Sequence, residues 1–241
     1  MRQFCVNSAS NAPNAPIVAA AINRLRGQGA RSYALVMPYT REPRIHTVPI
    51  DELRPTQITV GMREVAEKRE HWRAESGGAK ADFLGQHMIP VVLGPRGRPY
   101  VVDHHHLALA LHQEKVAEVA VTVFSDLSKL ERDAFWVYMD NRSWCHLYDA
   151  DGKRRDHDAL PKTVAGLVDD PYRSLAGALR RAGGFAKDTT PFSEFLWADF
   201  LRRRVKRKHA TSHPEIALAE ALRLARTSEA DYLPGWSGPC D

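Results

Sequence analysis

Tyr100-Val101-Val102-Asp103-His104-His105-His106-Leu107-Ala108-Leu109-Ala110 is the stretch on which the fold turns. Residues of high β-propensity run into one carboxylate and three imidazoles, then into leucine and alanine, which favour helix. The pattern predicts a strand, a tight turn and a helix. The first N–H groups of a helix lack intrahelical partners and, with the helix dipole, suit an anion. Imidazoles in that first turn hydrogen-bond phosphate oxygens or exchange protons with them. Asp103, His105 and His106 are therefore the candidate catalytic residues, and His104 is a candidate phosphate ligand. A metal ion is a rival occupant, because imidazole and carboxylate both ligate divalent ions. Consecutive helical residues point about 100° apart, so three adjacent histidines cannot all reach one ion. The plain structural alternative is that Asp103 caps the helix and the histidines are polar first-turn residues.

Working outward, His46–Ile50 reads as a strand and 51–55 as a turn, with Thr56 able to cap the next element. Met62, Val65 and Trp72 mark an amphipathic helix from Gly61 to Glu75, stopped by Gly77-Gly78. Lys68 on that helix is a candidate phosphate contact, and Thr56 and Gln57 are candidate substrate-positioning residues. Pro90–Gly94 and Pro99–Asp103 predict a hairpin around Pro95-Arg96-Gly97-Arg98. A further strand is expected over 116–124. After Leu127 the pattern is mainly helical, with helices expected over 129–141, 174–182, 191–209 and 214–227. Residues 1–43 read as a polar arm with a short helix at 17–26. The chain divides into that arm, a mixed α/β unit at 44–125 and a helical region at 126–241.

The 241 residues are 44% hydrophobic and 26% charged, which excludes a disordered chain. No stretch approaches the roughly 20 apolar residues that span a bilayer, so no membrane partner is expected. Cys5, Cys145 and Cys240 are too few and too far apart for a disulfide framework or a Cys-x-x-Cys metal site, and a reducing, cytoplasmic setting is expected. The net charge is +5, yet the run Arg202-Arg203-Arg204-Val205-Lys206-Arg207-Lys208 alone carries six cations. Its six cations are a candidate nucleic-acid contact. Trp197, Leu201 and Val205 share one helical stripe, so the run also fits the solvated side of a surface helix.

The strand, the Asp-His-His-His turn and the Leu-Ala-Leu-Ala helix resemble the phosphate-binding turn of the ParB/sulfiredoxin superfamily. Val48-Pro49-Ile50-Asp51-Glu52-Leu53-Arg54-Pro55-Thr56-Gln57 resembles that domain's opening strand and loop. With Val60-Gly61, Glu64-Val65 and Lys68, the set looks most like the branch of ParB-like nucleases. Trp136-Val137-Tyr138-Met139-Asp140-Asn141 and Leu233-Pro234-Gly235-Trp236 also resemble that branch. The resemblance implies an α/β (α+β) fold, a small mixed sheet with flanking helices, extended here by a helical C-terminal region.

The departures sort the superfamily's activities. His105 replaces the sulfiredoxins' catalytic cysteine, which argues against sulfinic-acid repair. Leu107 stands where the chromosome-partitioning proteins place an arginine, and no clear helix-turn-helix comes after it. Free-serine kinases carry Asp-Gly-His-His-Arg and a glutamate base. Here His104 replaces the glycine, Leu107 the arginine, and Gln57 sits near the glutamate's place; glutamine cannot act as a general base. The expected function is phosphoester chemistry on a nucleotide or nucleic acid, as nuclease or phosphotransferase. The alternatives are an ATP- or ADP-dependent small-molecule kinase and a non-enzymatic nucleotide- or DNA-binding module. Mg2+ or another divalent ion is a candidate cofactor, and ATP, ADP or CTP a candidate substrate.

Overall fold

Ile89 and Val91, Pro99 and Val101, and Val119 and Val121 are buried while Pro90, Tyr100 and Ala120 between them are less so, and this period of two builds the sheet at the centre of the molecule. The structure, a computed structural model, describes residues 44–75 and 79–239. The expected arm at 1–43, its helix at 17–26, the Gly77-Gly78 stop, Cys5 and Cys240 lie outside the described residues.

Seven strands are described: β1 (Arg44–Pro49), β2 (Arg54–Pro55), β3 (Thr59–Val60), β4 (Ile89–Leu93), β5 (Pro99–Val101), β6 (Glu118–Asp126) and β7 (Val168–Asp169). The fold is mixed α/β, with a curled five-stranded sheet in the order β1-β6-β4-β5-β2. β1 runs antiparallel to β6, β6 parallel to β4, β4 antiparallel to β5, and β5 parallel to β2. The expected hairpin forms at β4 and β5, with Val91 opposite Val101 and Leu93 opposite Pro99. Between Val91 and Val92 the pairing skips Phe124, which makes a bulge in β6.

Eight α-helices flank the sheets among the described residues: α1 (Met62–Ala74), α2 (Ala79–Gln86), α3 (His105–Gln113), α4 (Arg132–Asn141), α5 (Pro171–Arg181), α6 (Ser193–Arg202), α7 (Arg207–Ser212) and α8 (Pro214–Ala225). One sheet face packs Val91 and Val101 against Leu107, Leu109 and Leu111 of α3 and Val65 and Trp72 of α1. The other packs Val92 with Phe135, Trp136 and Met139 of α4, with Tyr100 and Val102 beside them. A third apolar cluster, with Trp197, Phe200 and Leu201 at its centre, joins α5, α6 and α8.

The segments before and after Ser125 are stitched together. β3 pairs in parallel with β7, Thr59 opposite Val168 and Val60 opposite Asp169. Met62 N–H donates to Asp169 Oδ1 at 3.0 Å. Gly61 lies so close to α5 that a Cβ there would stand 2.7 Å from the backbone N and the Oγ of Ser174.

The helix expected over 191–209 is two helices. α6 ends at Arg202, and Lys206 is extended, with φ −60° and ψ 134°. Val205 still takes the buried place its spacing predicts, but its carbonyl accepts from the Tyr172 hydroxyl at 2.9 Å. That bond withdraws the carbonyl from the helical ladder. The short helix α2 carried no sequence expectation, and α5 begins three residues before its expected start.

Candidate functional site

The chain leaves β5 at Val101, and Asp103 and His104 make the turn into α3. His104 is left-handed, with φ 64° and ψ 27°. This is the position where the serine kinases that the turn resembles carry glycine, the residue that adopts this conformation at least cost. His104 N–H donates to Asp103 Oδ1 at 2.6 Å. No side chain caps α3, so its first N–H groups stay open at the turn.

His105 is buried at 4% exposure. Its Nε2 accepts from Thr56 N–H at 3.2 Å, and its ring is also hydrogen-bonded to the Val101 carbonyl. Thr56 Oγ1 donates to the same carbonyl at 2.7 Å. Thr56 therefore ties β2 to β5 and the turn; the residue that precedes α1 as its N-cap is Gly61. Burial, reinforced by the charges of His106 and Arg173, pushes His105 down to about 3, so the ring is neutral.

His106 Nε2 accepts from Gly61 N–H at 3.0 Å and stands 3.0 Å from Glu64 Oε2. A neutral Nε2 makes the first contact and a protonated one the second, so the two are alternatives. Burial, then the nearby Arg173, pushes His106 down to about 3 and favours the neutral ring. Glu64 is itself held by Arg181 at 3.0 Å.

These residues open on a cavity of about 420 Å3 lined by Gln57, Asp103, His105, His106, Arg173 and Glu194. Arg180 and Lys187 add cations to its wall, and Phe192 and Phe195 add rings. Arg173, in the first turn of α5, is 4% exposed, and its guanidinium lies 3.7 Å from the Phe195 ring centre. Its Nη1 is 3.7 Å from Glu194 Oε2, too long for a hydrogen bond, while Arg180 Nε holds Glu194 at 2.7 Å. Among the described residues the buried Nε and Nη1 of Arg173 have no hydrogen-bond partner. Burial is the main effect lowering the Arg173 pKa, and Glu194 opposes it.

A second cavity of about 370 Å3 adjoins through Pro191, Phe192 and Phe195. His146 stacks on Phe195 with ring centres 3.7 Å apart. Burial, then the charges of Arg173 and Arg202, pushes His146 down to about 3.

Of the residues singled out by sequence, Gln57, Asp103, His105 and His106 share the first cavity. Gln57 donates from Nε2 to the Thr59 carbonyl at 2.7 Å. Thr56 lies behind it, and His104 points its exposed ring elsewhere. Lys68 does not line the cavity, although its charge acts on His106. The basic run is largely ion-paired: Arg202 with Asp170, Arg203 with Asp199, Arg204 with Glu229 and Arg207 with Asp151. Among the described residues, Lys206 and Lys208 have no ion pair.

Sequence reasoning passed over Arg173, Glu194, Phe195 and His146. A signal for the first was present. Asp170-Pro171 is a cap followed by proline at the first helical position, which starts the helix at Pro171 and puts Arg173 in its first turn. Among the described residues, no three His, Cys, Asp or Glu side chains gather in a metal-holding arrangement. No helix of the described residues is long and apolar enough to cross a membrane.

A mixed sheet whose strand-turn-helix presents Asp-His-His-His to a cationic cavity is an α/β fold of the ParB/sulfiredoxin type. The family model described as "Putative ParB-like nuclease" matches residues 46–203, and the chain belongs to that family. The crystal structure of protein Atu1540 from Agrobacterium tumefaciens is similar over 82% of this chain and 99% of its own, with 52% identity and a TM-score of 0.77. No curated protein gives a significant match.

Proposed function

We propose that the 420 Å3 cavity binds a phosphate group of a nucleotide or nucleic acid and promotes cleavage of its phosphoester. The observation that carries this is Arg173: a buried guanidinium with two N–H directions unused, beside an uncapped helix N-terminus and two neutral imidazoles. A phosphate oxygen satisfies those donors and the first N–H groups of α3 together. Its charge also favours the imidazolium, moving the His106 pKa back toward its ordinary value, nearer working pH.

In this reading a water oxygen attacks phosphorus and gives its proton to Asp103 or His106. The phosphorus–oxygen bond to the leaving group breaks, and that oxygen takes up a proton from solvent water. His106 passes its own proton toward Glu64. His105, with both sides of its ring committed to Thr56 and Val101, positions the turn. Gln57 orients substrate, and Lys68 contributes charge behind His106. Among the described residues no three His, Cys, Asp or Glu side chains gather into a cage for Mg2+.

The test is the thermal midpoint with inorganic phosphate, ATP, ADP and CTP, each with and without Mg2+. A ligand at 100 times its Kd stabilises by about 2.7 kcal/mol. Wild type is expected to shift, and Arg173→Met to lose the shift. His106→Gln and Asp103→Asn are expected to keep binding and lose cleavage of an oligonucleotide. No shift with any of these ligands overturns the reading. The adjoining aromatic cavity favours a second reading, a mononucleotide with its base stacked near Phe195 and His146. It predicts that ATP, ADP or CTP shifts the midpoint more than phosphate alone and that Phe195→Ala removes the difference.

A further inference from the structure

A third recess, of about 610 Å3, lies at the other end of the same strand. Tyr100 of β5 lines it, while Val102, two residues on, lines the phosphate cavity. Two residues of extended chain span about 7 Å. The recess holds six cations, Arg54, Arg96, Arg98, Lys129, Arg132 and Lys162, against two carboxylates, Glu131 and Asp158. Arg132 pairs with Asp158. Among the described residues the other five cations have no ion pair. This is the reverse of the 202–208 run, where four arginines are already paired.

Arg96 and Arg98 sit at the exposed tip of the β4–β5 hairpin, Lys129 and Lys162 on the facing loops. The wall between them is aromatic. Trp136 and His157 stack with ring centres 4.9 Å apart and an interplanar angle of 21°. Tyr100 meets Trp136 edge-on at 5.4 Å. His157 Nε2 is buried and has no hydrogen-bond partner among the described residues.

We propose that this recess binds single-stranded nucleic acid and feeds it to the phosphate cavity. Spread, unpaired cations suit a polymer of phosphodiesters better than one small anion. The half-buried Tyr100 and His157 rings of the wall suit an unpaired base, which a duplex does not offer. The inference rests on the phosphate site proposed above, for which it names the substrate class.

The experiment measures fluorescence anisotropy of a labelled oligothymidylate across a salt series, with wild type and with Arg96, Arg98, Lys129 and Lys162 changed together to glutamine. Single-strand binding loses about 0.7 in log–log salt slope per phosphate contact, so the variant is expected to lose about 3. Arg96→Glu alone, at the exposed tip, guards against misfolding of the fourfold variant and is expected to weaken binding at low salt. Lys206→Gln with Lys208→Gln is expected to leave the slope unchanged. An unchanged slope in the fourfold variant, tighter binding of the matching duplex, or no binding by wild type at low salt overturns the inference. Inorganic phosphate separates the two readings: a shift that Arg173→Met removes keeps the phosphate site even where the cleft fails.

Discussion

Arg202 Nη2 and Asp170 Oδ2 lie 2.5 Å apart, with the carboxylate side chain 2% exposed. The most conspicuous cation of the basic run is thus spent inside the molecule. Asp170 also caps α5 by accepting from Tyr172 N–H at 3.0 Å. Removing one partner of a buried pair strands the other without compensation and costs about 3–5 kcal/mol. Arg202→Met is expected to lose that much stability in urea unfolding. Lys206→Gln and Lys208→Gln, on exposed side chains, are expected to stay within about 0.5 kcal/mol of wild type.

Stability should fall in mild acid. His105, His106 and His146 are each pushed down to about 3 in the fold, from an ordinary 6.5. The unfolded chain therefore takes up protons that the folded one refuses. Their stabilising contribution is complete above about 6.5 and is lost as pH falls from there toward about 3. Each neutral histidine adds about 1.4 kcal/mol per pH unit to that slope. His105→Gln keeps an acceptor for Thr56 N–H and removes one titrating group, so urea unfolding between pH 6 and 4 should show a slope lower by about that amount.

The left-handed turn at His104 gives a sharp comparison. A residue branched at Cβ is poorly suited to this conformation. His104→Val is expected to lose about 1–3 kcal/mol, and His104→Gly to match or exceed wild type in thermal midpoint. Retained phosphate binding in His104→Gly accords with a ring that lies outside the cavity.

Gly61 is where α1, α5 and His106 meet. A Cβ there would stand 2.7 Å from backbone and hydroxyl atoms of Ser174, and backbone cannot step aside as a flexible side chain does. Gly61→Ala is expected to cost about 1–3 kcal/mol. It also moves the N–H that His106 accepts, so any cleavage activity should fall further than stability alone explains.

Much of the fold was legible in local sequence. The β5–α3 turn, the β4–β5 hairpin and helices α1, α4 and α8 follow from period, propensity and turn residues that act over a few positions. β2, β3 and β7 are two residues long and carry no period to read. The expectation of one helix through Val205 failed for a different reason: Trp197, Leu201 and Val205 are all buried as the stripe requires, but Tyr172 captures the carbonyl that would continue it. At the site, Asp103, His105 and His106 announced themselves because they are adjacent. Arg173, Glu194 and Phe195 did not, because nothing in their own neighbourhoods shows that they meet a turn so far back along the chain.

The pairing of β3 with β7 bears on how the molecule comes into being. Met62 and Asp169 are separated by 107 positions, and Arg63 and Ser174 by 111. Contacts this distant carry the full entropic cost of closing a long loop before any neighbour rewards them. The turn with its histidines draws on local signals, whereas the Arg173 guanidinium lines the same cavity through that long-range closure. The two walls of the cavity thus differ in origin: the Asp-His-His-His turn is built by neighbours in the chain, and the Arg173 wall by contacts more than a hundred positions apart.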